Sequence, residues 1–245
     1  MDSHESQATD PLTTASNGGT RRRWFSLVAF FLIVLVWPVL AFWRAPSDPL
    51  DFAWQVETNR LGTYGASAIL LWSMFAIVWL IQKLDRQRLR DLGFTVPGWR
   101  DFAFGIAFLI IVYPILGVLA WLLEALGMAI PEMVIRALLP VTMNERIAWV
   151  GISITAAIAE ETVFRGYLLV RGQEILKSRW LAVSLSALTF GIGHYYPGWG
   201  GVVLIAVYGL MFTWLRFRTQ SLWPCIVAHA LQDILAVYFA SLQNG

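Results

Sequence analysis

The sequence predicts an all-α integral membrane protein, a polytopic bundle of about seven transmembrane helices. Three observations carry that reading. The chain is 58% hydrophobic and only 14% charged, whereas a soluble domain carries about 25% charged residues. Its mean hydropathy is +0.61. Apolar runs of the length a helix needs to cross a bilayer, about 20 residues, recur through it. The predicted spans are 24–43, 62–81, 102–127, 147–170, 180–195, 200–215 and 221–240.

Residues 1–23 are rich in Ser, Thr, Asp, Gly and Asn and end in Arg21, Arg22 and Arg23. They read as a disordered cytoplasmic tail. The 20-residue run that follows is longer than a signal h-region and has no small-x-small cleavage site after it, so it is a retained first helix. Residues 24–143 supply the N-terminal membrane helices. Residues 144–245 supply the core that carries the chemistry, on the last four spans. The fifth and sixth spans are short. The mildly apolar stretch PEMVIRALLP leaves room for an eighth, partial or re-entrant segment near 128–145. Trp24, Trp43, Trp180 and Trp199 fall near span ends, as interface anchors do. Pro38, Pro114 and Pro224 predict kinks.

Charge fixes an orientation. With the N-terminus in the cytoplasm, 14 of the 18 Lys+Arg residues fall on inward-facing segments, and Arg44, Arg60, Arg136 and Arg146 fall outside. By the positive-inside rule the N-terminus is cytoplasmic and the C-terminus is outside. A net charge of +2 gives no footprint for nucleic acid. The one cysteine, Cys225, forbids an intramolecular disulfide and any cysteine-cluster metal site.

The most informative residues are polar ones inside these spans. Glu160 and Glu161 are adjacent within ITAAIAEETVFRGYLLV. A charged side chain near a bilayer centre costs roughly 2.5–3.5 kcal/mol on insertion scales, so such residues read as a functional site facing the bundle interior. Glu161 and Arg165 are four apart, share a helical face and can pair. Glu160 is rotated about 100° from Glu161 and is free for another task. His194 ends FGIGH, with Phe190 one turn before it; its span places it nearer the outer side than Glu160. His229 and Asp233 are again four apart. Gly191, Gly193 and Gly209 allow close helix approach.

Each feature has a plainer reading: a packing histidine, an Asp233 paired with His229 or Arg165, a structural Glu161–Arg165 pair. Those readings do not account for the set. Of three histidines, His4 lies in the tail, and each of the other two sits in a span with a spaced companion. Amide hydrolysis needs an activated water, a base and an oxyanion donor. A glutamate in apolar surroundings suits the base. Two histidines and an acid can hold a metal that acidifies water, or a histidine and a polar neighbour can donate to the oxyanion. The residues serve either chemistry.

EETVFRG, FGIGH and HALQD resemble the three motifs of the CAAX protease and bacteriocin-processing family, also called Abi: intramembrane proteases similar to type II CAAX prenyl endopeptidases. The resemblance covers about residues 145–240. It implies a prokaryotic inner-membrane endopeptidase acting on a membrane-associated peptide or protein. It further implies that Glu160 activates water with His194 as its partner. Glu161, Arg165 and Phe190 support the site, and His229 and Asp233 bind the oxyanion or a metal. If the metal is zinc, its ligands come from His194, His229, Glu160 and Asp233. Many members have Asn where this chain has Asp233, and an ionised Asp cannot donate a hydrogen bond.

Two other classes use the same residues. A proton- or cation-coupled transporter predicts inverted repeats, and the two halves of this chain show none. A non-catalytic scaffold or immunity protein of the same fold predicts loss of a motif acid or histidine, and all are present.

Overall fold

A computed structural model describes residues 24–44 and 48–242. The predicted tail, with Arg21, Arg22, Arg23 and His4, lies outside the described residues. Among the described residues the chain forms nine helices, one short 3₁₀ turn (Leu89–Leu92) and no strand. Helix α1 runs as Trp24–Phe31, a π-helical turn Leu32–Val36, and Trp37–Arg44. Then come α2 (Pro49–Thr58), α3 (Arg60–Leu84), α4 (Trp99–Ala125) and α5 (Glu132–Leu138). The long α6 (Met143–Leu176) has a π-helical middle, Glu161–Leu168. Helices α7 (Arg179–Gly193), α8 (Gly198–Thr219) and α9 (Trp223–Leu242) complete the chain.

Five of these, α1, α3, α4, α6 and α8, are long and apolar enough to cross a membrane. Helix α7 and the Trp223–Val237 part of α9 are shorter apolar helices. The molecule is an all-α polytopic membrane protein, and the apolar side chains that point away from its core account for that. Ile110, Ile111, Val118 and Trp121 on α4 are all exposed, an arrangement that lipid satisfies and water does not.

Local signals set the helix ends. The Asp48 carboxylate accepts from the Leu50 amide, and Pro49 opens α2, where its missing N–H costs nothing. Thr142 and Glu145 cap α6 reciprocally. Ser178 caps α7 through the Leu181 amide. Pro224 sits in the first turn of α9, and Pro114 lies inside an unbroken α4. Only Pro38 adjoins a departure from α-geometry, the π-turn of α1.

Two helices lay outside the predicted spans. Helix α5 falls in the stretch left open for an eighth segment, and its seven residues are too few to span a bilayer. Helix α2 was not foreseen. The two pack together through Ala53, Val56 and Ala137. The Arg60 side chain donates to the Ala137 carbonyl at 2.9 Å. They form a small cap on one end of the bundle. The link 194–197 lies at that same end, where Phe52 of α2 stacks on Tyr196 with ring centres 5.3 Å apart.

The core is built around the π-segment of α6. All eight residues Glu161–Leu168 are buried, packed among Ala29 and Phe30 of α1, Val78 and Ile81 of α3, and Phe190 of α7. A π-turn displaces carbonyls from the regular ladder. The Ser186 hydroxyl donates to the Phe164 carbonyl at 2.7 Å, and the Tyr167 hydroxyl to the Ser26 carbonyl at 2.8 Å.

One of the basic residues placed on inward-facing segments is buried in the bundle. Arg171, counted among the inward loop charges, is buried within α6. It is satisfied by Glu174 at 2.8 Å and by Gln82 at 3.1 Å. Arg165 and Arg216 are also buried.

Candidate active site

Helices α6, α7 and α9 bring Glu160, His194, His229 and Asp233 together. Helix α6 offers Glu160 as the last residue before its π-segment and Glu161 as the first residue in it. Helix α7 has only 15 residues, about 22 Å at 1.5 Å per residue. It is close to the predicted span 180–195 in length, and His194 is its C-cap. Helix α9 presents His229 and Asp233 one turn apart, and the Trp149 indole pins it to α6 by donating to the Asp233 carbonyl at 2.7 Å.

Both imidazoles have one nitrogen anchored. His194 Nδ1 donates to the Phe190 carbonyl at 2.9 Å, which leaves its Nε2 facing Glu160 Oε2 at 3.9 Å. His229 Nδ1 donates to Glu161 Oε1 at 2.8 Å. Its Nε2 stands 3.8 Å from Glu160 Oε2 and 3.7 Å from Asp233 Oδ2. Glu160 Oε2 is buried with no hydrogen-bond partner among the described residues. The two Nε2 atoms thus converge on one unpaired carboxylate oxygen.

The sequence expectation for Glu161 was incomplete. It does pair with Arg165, at 3.2 Å between Oε1 and Nη1, with both side chains at most 1% exposed. The same oxygen also holds His229. Glu160 and Glu161 do not diverge to separate surroundings; they face the two nitrogens of one ring. The α-to-π junction falls between them, and the regular 100° step assumed for neighbours does not describe it.

Arg165 lies flat on aromatic faces. Its guanidinium carbon is 4.0 Å from the centre of the Phe190 ring and 5.1 Å from that of Phe212. Such stacking stabilises a buried guanidinium that lacks a full set of acceptors. Phe190 therefore does more than precede His194: it carries Arg165 on its ring and lends His194 its carbonyl. Helix α8 comes this close because position 209 is glycine. A Cβ there would stand 3.3 Å from Arg165 Nη2 and from the Phe190 ring.

Sequence reasoning missed Trp149, Phe212 and Tyr196. Phe212 sits 5.8 Å from the His229 ring, centre to centre. Tyr196 sits 6.2 Å from the His194 ring. In a chain with 15 Phe, 13 Trp and 7 Tyr, aromatics at the site carry no mark of their own. Tyr196 alone had a positional signal, two residues past the motif histidine.

The donor set was tested against a zinc ion. Tetrahedral bonds of about 2.0–2.1 Å place ligand atoms about 3.3–3.4 Å apart. The separations here, 3.7–3.9 Å, are wider. Among the described residues no group of three or more His, Cys, Asp or Glu gathers closely enough to hold a metal ion. His194, His229, Glu160 and Asp233 do not fit a closed zinc site in this arrangement, and no chemical step is routed through one.

Comparison with known proteins gives one finding. No curated protein and no solved structure matches the chain. Residues 142–235, which contain all four converging residues, match the family model described as Rce1-like (Type II CAAX prenyl endopeptidase Rce1-like), so that segment is similar to this family.

Proposed function

We propose that this chain is an intramembrane endopeptidase of the glutamate type, hydrolysing a peptide bond of a membrane-associated peptide or protein. Residues 144–245 form its catalytic core, framed by the N-terminal helices. The observation that carries the reading is the unpaired Glu160 Oε2 with an imidazole Nε2 on either side, at 3.9 and 3.8 Å.

A water about 2.8 Å from Glu160 Oε2 and from His194 Nε2 has an acceptor on each side. Glu160 takes its proton as the oxygen attacks the scissile carbonyl carbon. The carbonyl oxygen gains the negative charge. His229, when protonated on both nitrogens, donates from Nε2 to that oxyanion while Nδ1–H stays on Glu161. Glu160 then returns the proton to the leaving nitrogen as the C–N bond breaks. The products are a carboxylic acid and an amine, which exchange a proton to become a carboxylate and an ammonium, and Glu160 is ionised again. Glu161 and Arg165 fix the His229 ring through the transition state. Basic residues on alternate segments support a cell-membrane location with the N-terminus in the cytoplasm.

The test is cleavage of a membrane-tethered peptide by the purified full chain in liposomes, read by mass spectrometry. The wild type yields two fragments. Glu160→Gln, isosteric but unable to take a proton, yields none while keeping its helical content. Equal cleavage by both proteins defeats the assignment.

A further inference from the structure

The site is rich in acceptors. Three carboxylates, Glu160, Glu161 and Asp233, surround His229. The Nδ1–H groups of both histidines are already committed, to Phe190 and to Glu161. That leaves His229 Nε2 as a donor to a developing oxyanion, and an ionised Asp233 cannot supply another. Oxyanion stabilisation generally uses more than one donor.

Tyr196 stands beside His194. Its ring lies 6.2 Å from that of His194, and the carboxylates of Asp233 and Glu160 both act electrostatically on its phenol. Its other face stacks on Phe52 of the cap, rings 12° from parallel. Among the described residues its hydroxyl makes no hydrogen bond. Burial, and then the two carboxylates, push the phenol up, so it keeps its proton and remains a donor. The neighbouring Tyr195 is directed elsewhere, against Phe42 at 4.7 Å and Trp199 at 5.1 Å.

We infer that Tyr196 is a further catalytic residue, whose phenolic O–H donates to the oxyanion beside His229 Nε2. Helix α2, through Phe52, positions that phenol, which gives the cap a part in the reaction. The inference rests on the endopeptidase reading above.

The experiment uses the full chain in liposomes and the same tethered peptide. Tyr196→Phe keeps the ring and its stack on Phe52. Its kcat is expected to fall about 10²–10³-fold, the loss seen when one oxyanion donor is removed, with KM within about twofold, because the bond forms in the transition state. Tyr195→Phe stays within about twofold of wild type. Adding Asp233→Asn to Tyr196→Phe restores kcat about tenfold or more, since the amide supplies an N–H donor. A Tyr196→Phe enzyme within threefold of wild type, a loss confined to KM, or an equal loss in Tyr195→Phe overturns the assignment. If Glu160→Gln is inert and Tyr196→Phe is not impaired, this inference alone fails. If Glu160→Gln is active, the endopeptidase reading itself fails.

Discussion

His229 donates from Nδ1 to Glu161 Oε1 at 2.8 Å, and that oxygen also receives Arg165 Nη1 at 3.2 Å. One carboxylate oxygen therefore joins an aromatic-stacked guanidinium to an imidazole of the site. The buried charge that membrane insertion penalises is neutralised inside the bundle, and its by-product is a histidine with a fixed ring plane.

Glu161→Gln leaves Arg165 buried without its counter-charge. Breaking a buried pair by removing one partner costs about 3–5 kcal/mol, so chemical denaturation should show a loss of that order. Activity should fall as well, because His229 loses its anionic partner. This is a larger functional cost than the i to i+4 pairing alone implied. In Glu161→Gln with Arg165→Met, stability should partly recover while activity does not. A double variant as active as wild type contradicts the link from Glu161 to His229.

Helix α8 depends on two glycines for its approach to α7. A Cβ on Gly191 would stand 2.7 Å from the Val202 carbonyl oxygen, a backbone atom. A Cβ on Gly209 would meet Arg165 and Phe190 side-chain atoms at 3.3 Å. Overpacking costs about 1–3 kcal/mol. Gly191→Ala should sit at or above the upper end of that range and Gly209→Ala near the lower end. Thermal unfolding in detergent gives the order, and the reverse order would show that α8 is set by other contacts.

A metal-free reaction predicts indifference to chelation. Active protein dialysed against a strong chelator should retain its cleavage rate, and elemental analysis should find no stoichiometric zinc. Loss of activity that zinc restores would mean that the donors close from 3.7–3.9 Å to ligand spacing when substrate binds.

The orientation can be read directly. A reporter active only in the cytoplasm should be silent when fused at residue 245 and active when fused before Arg21. The basic residues of the segment between Lys83 and Arg100 are then on the same side as the N-terminus. A cytoplasmic signal at both ends contradicts an odd number of crossings.

Much of the fold is legible in the text of the chain. Seven apolar helices follow from hydropathy, because lipid leaves the backbone no alternative to internal hydrogen bonding. The cap was harder. Asp48 followed by Pro49 is a readable helix start, but ten residues with a weakly apolar face are not stable alone. Helix α2 is stabilised by packing Ala53 and Val56 on Ala137 of α5, a partner more than eighty residues away. The short α7 was legible, predicted over 180–195 and found over Arg179–Gly193.

The sequence alone determined which polar residues lie within apolar helices and which share a helix face. Glu161 with Arg165, Phe190 with His194, and His229 with Asp233 are four apart, and helical geometry makes them neighbours whatever surrounds them. Only the tertiary structure decided that Glu160 and Glu161 flank one imidazole, that Arg165 lies on Phe190 and Phe212, and that Tyr196, in the link after α7, stacks on Phe52 of the cap. Those relationships cross between helices. They depend on how closely α6, α7, α8 and α9 approach, and that distance is set by the joint packing of all their side chains, which no local spacing encodes.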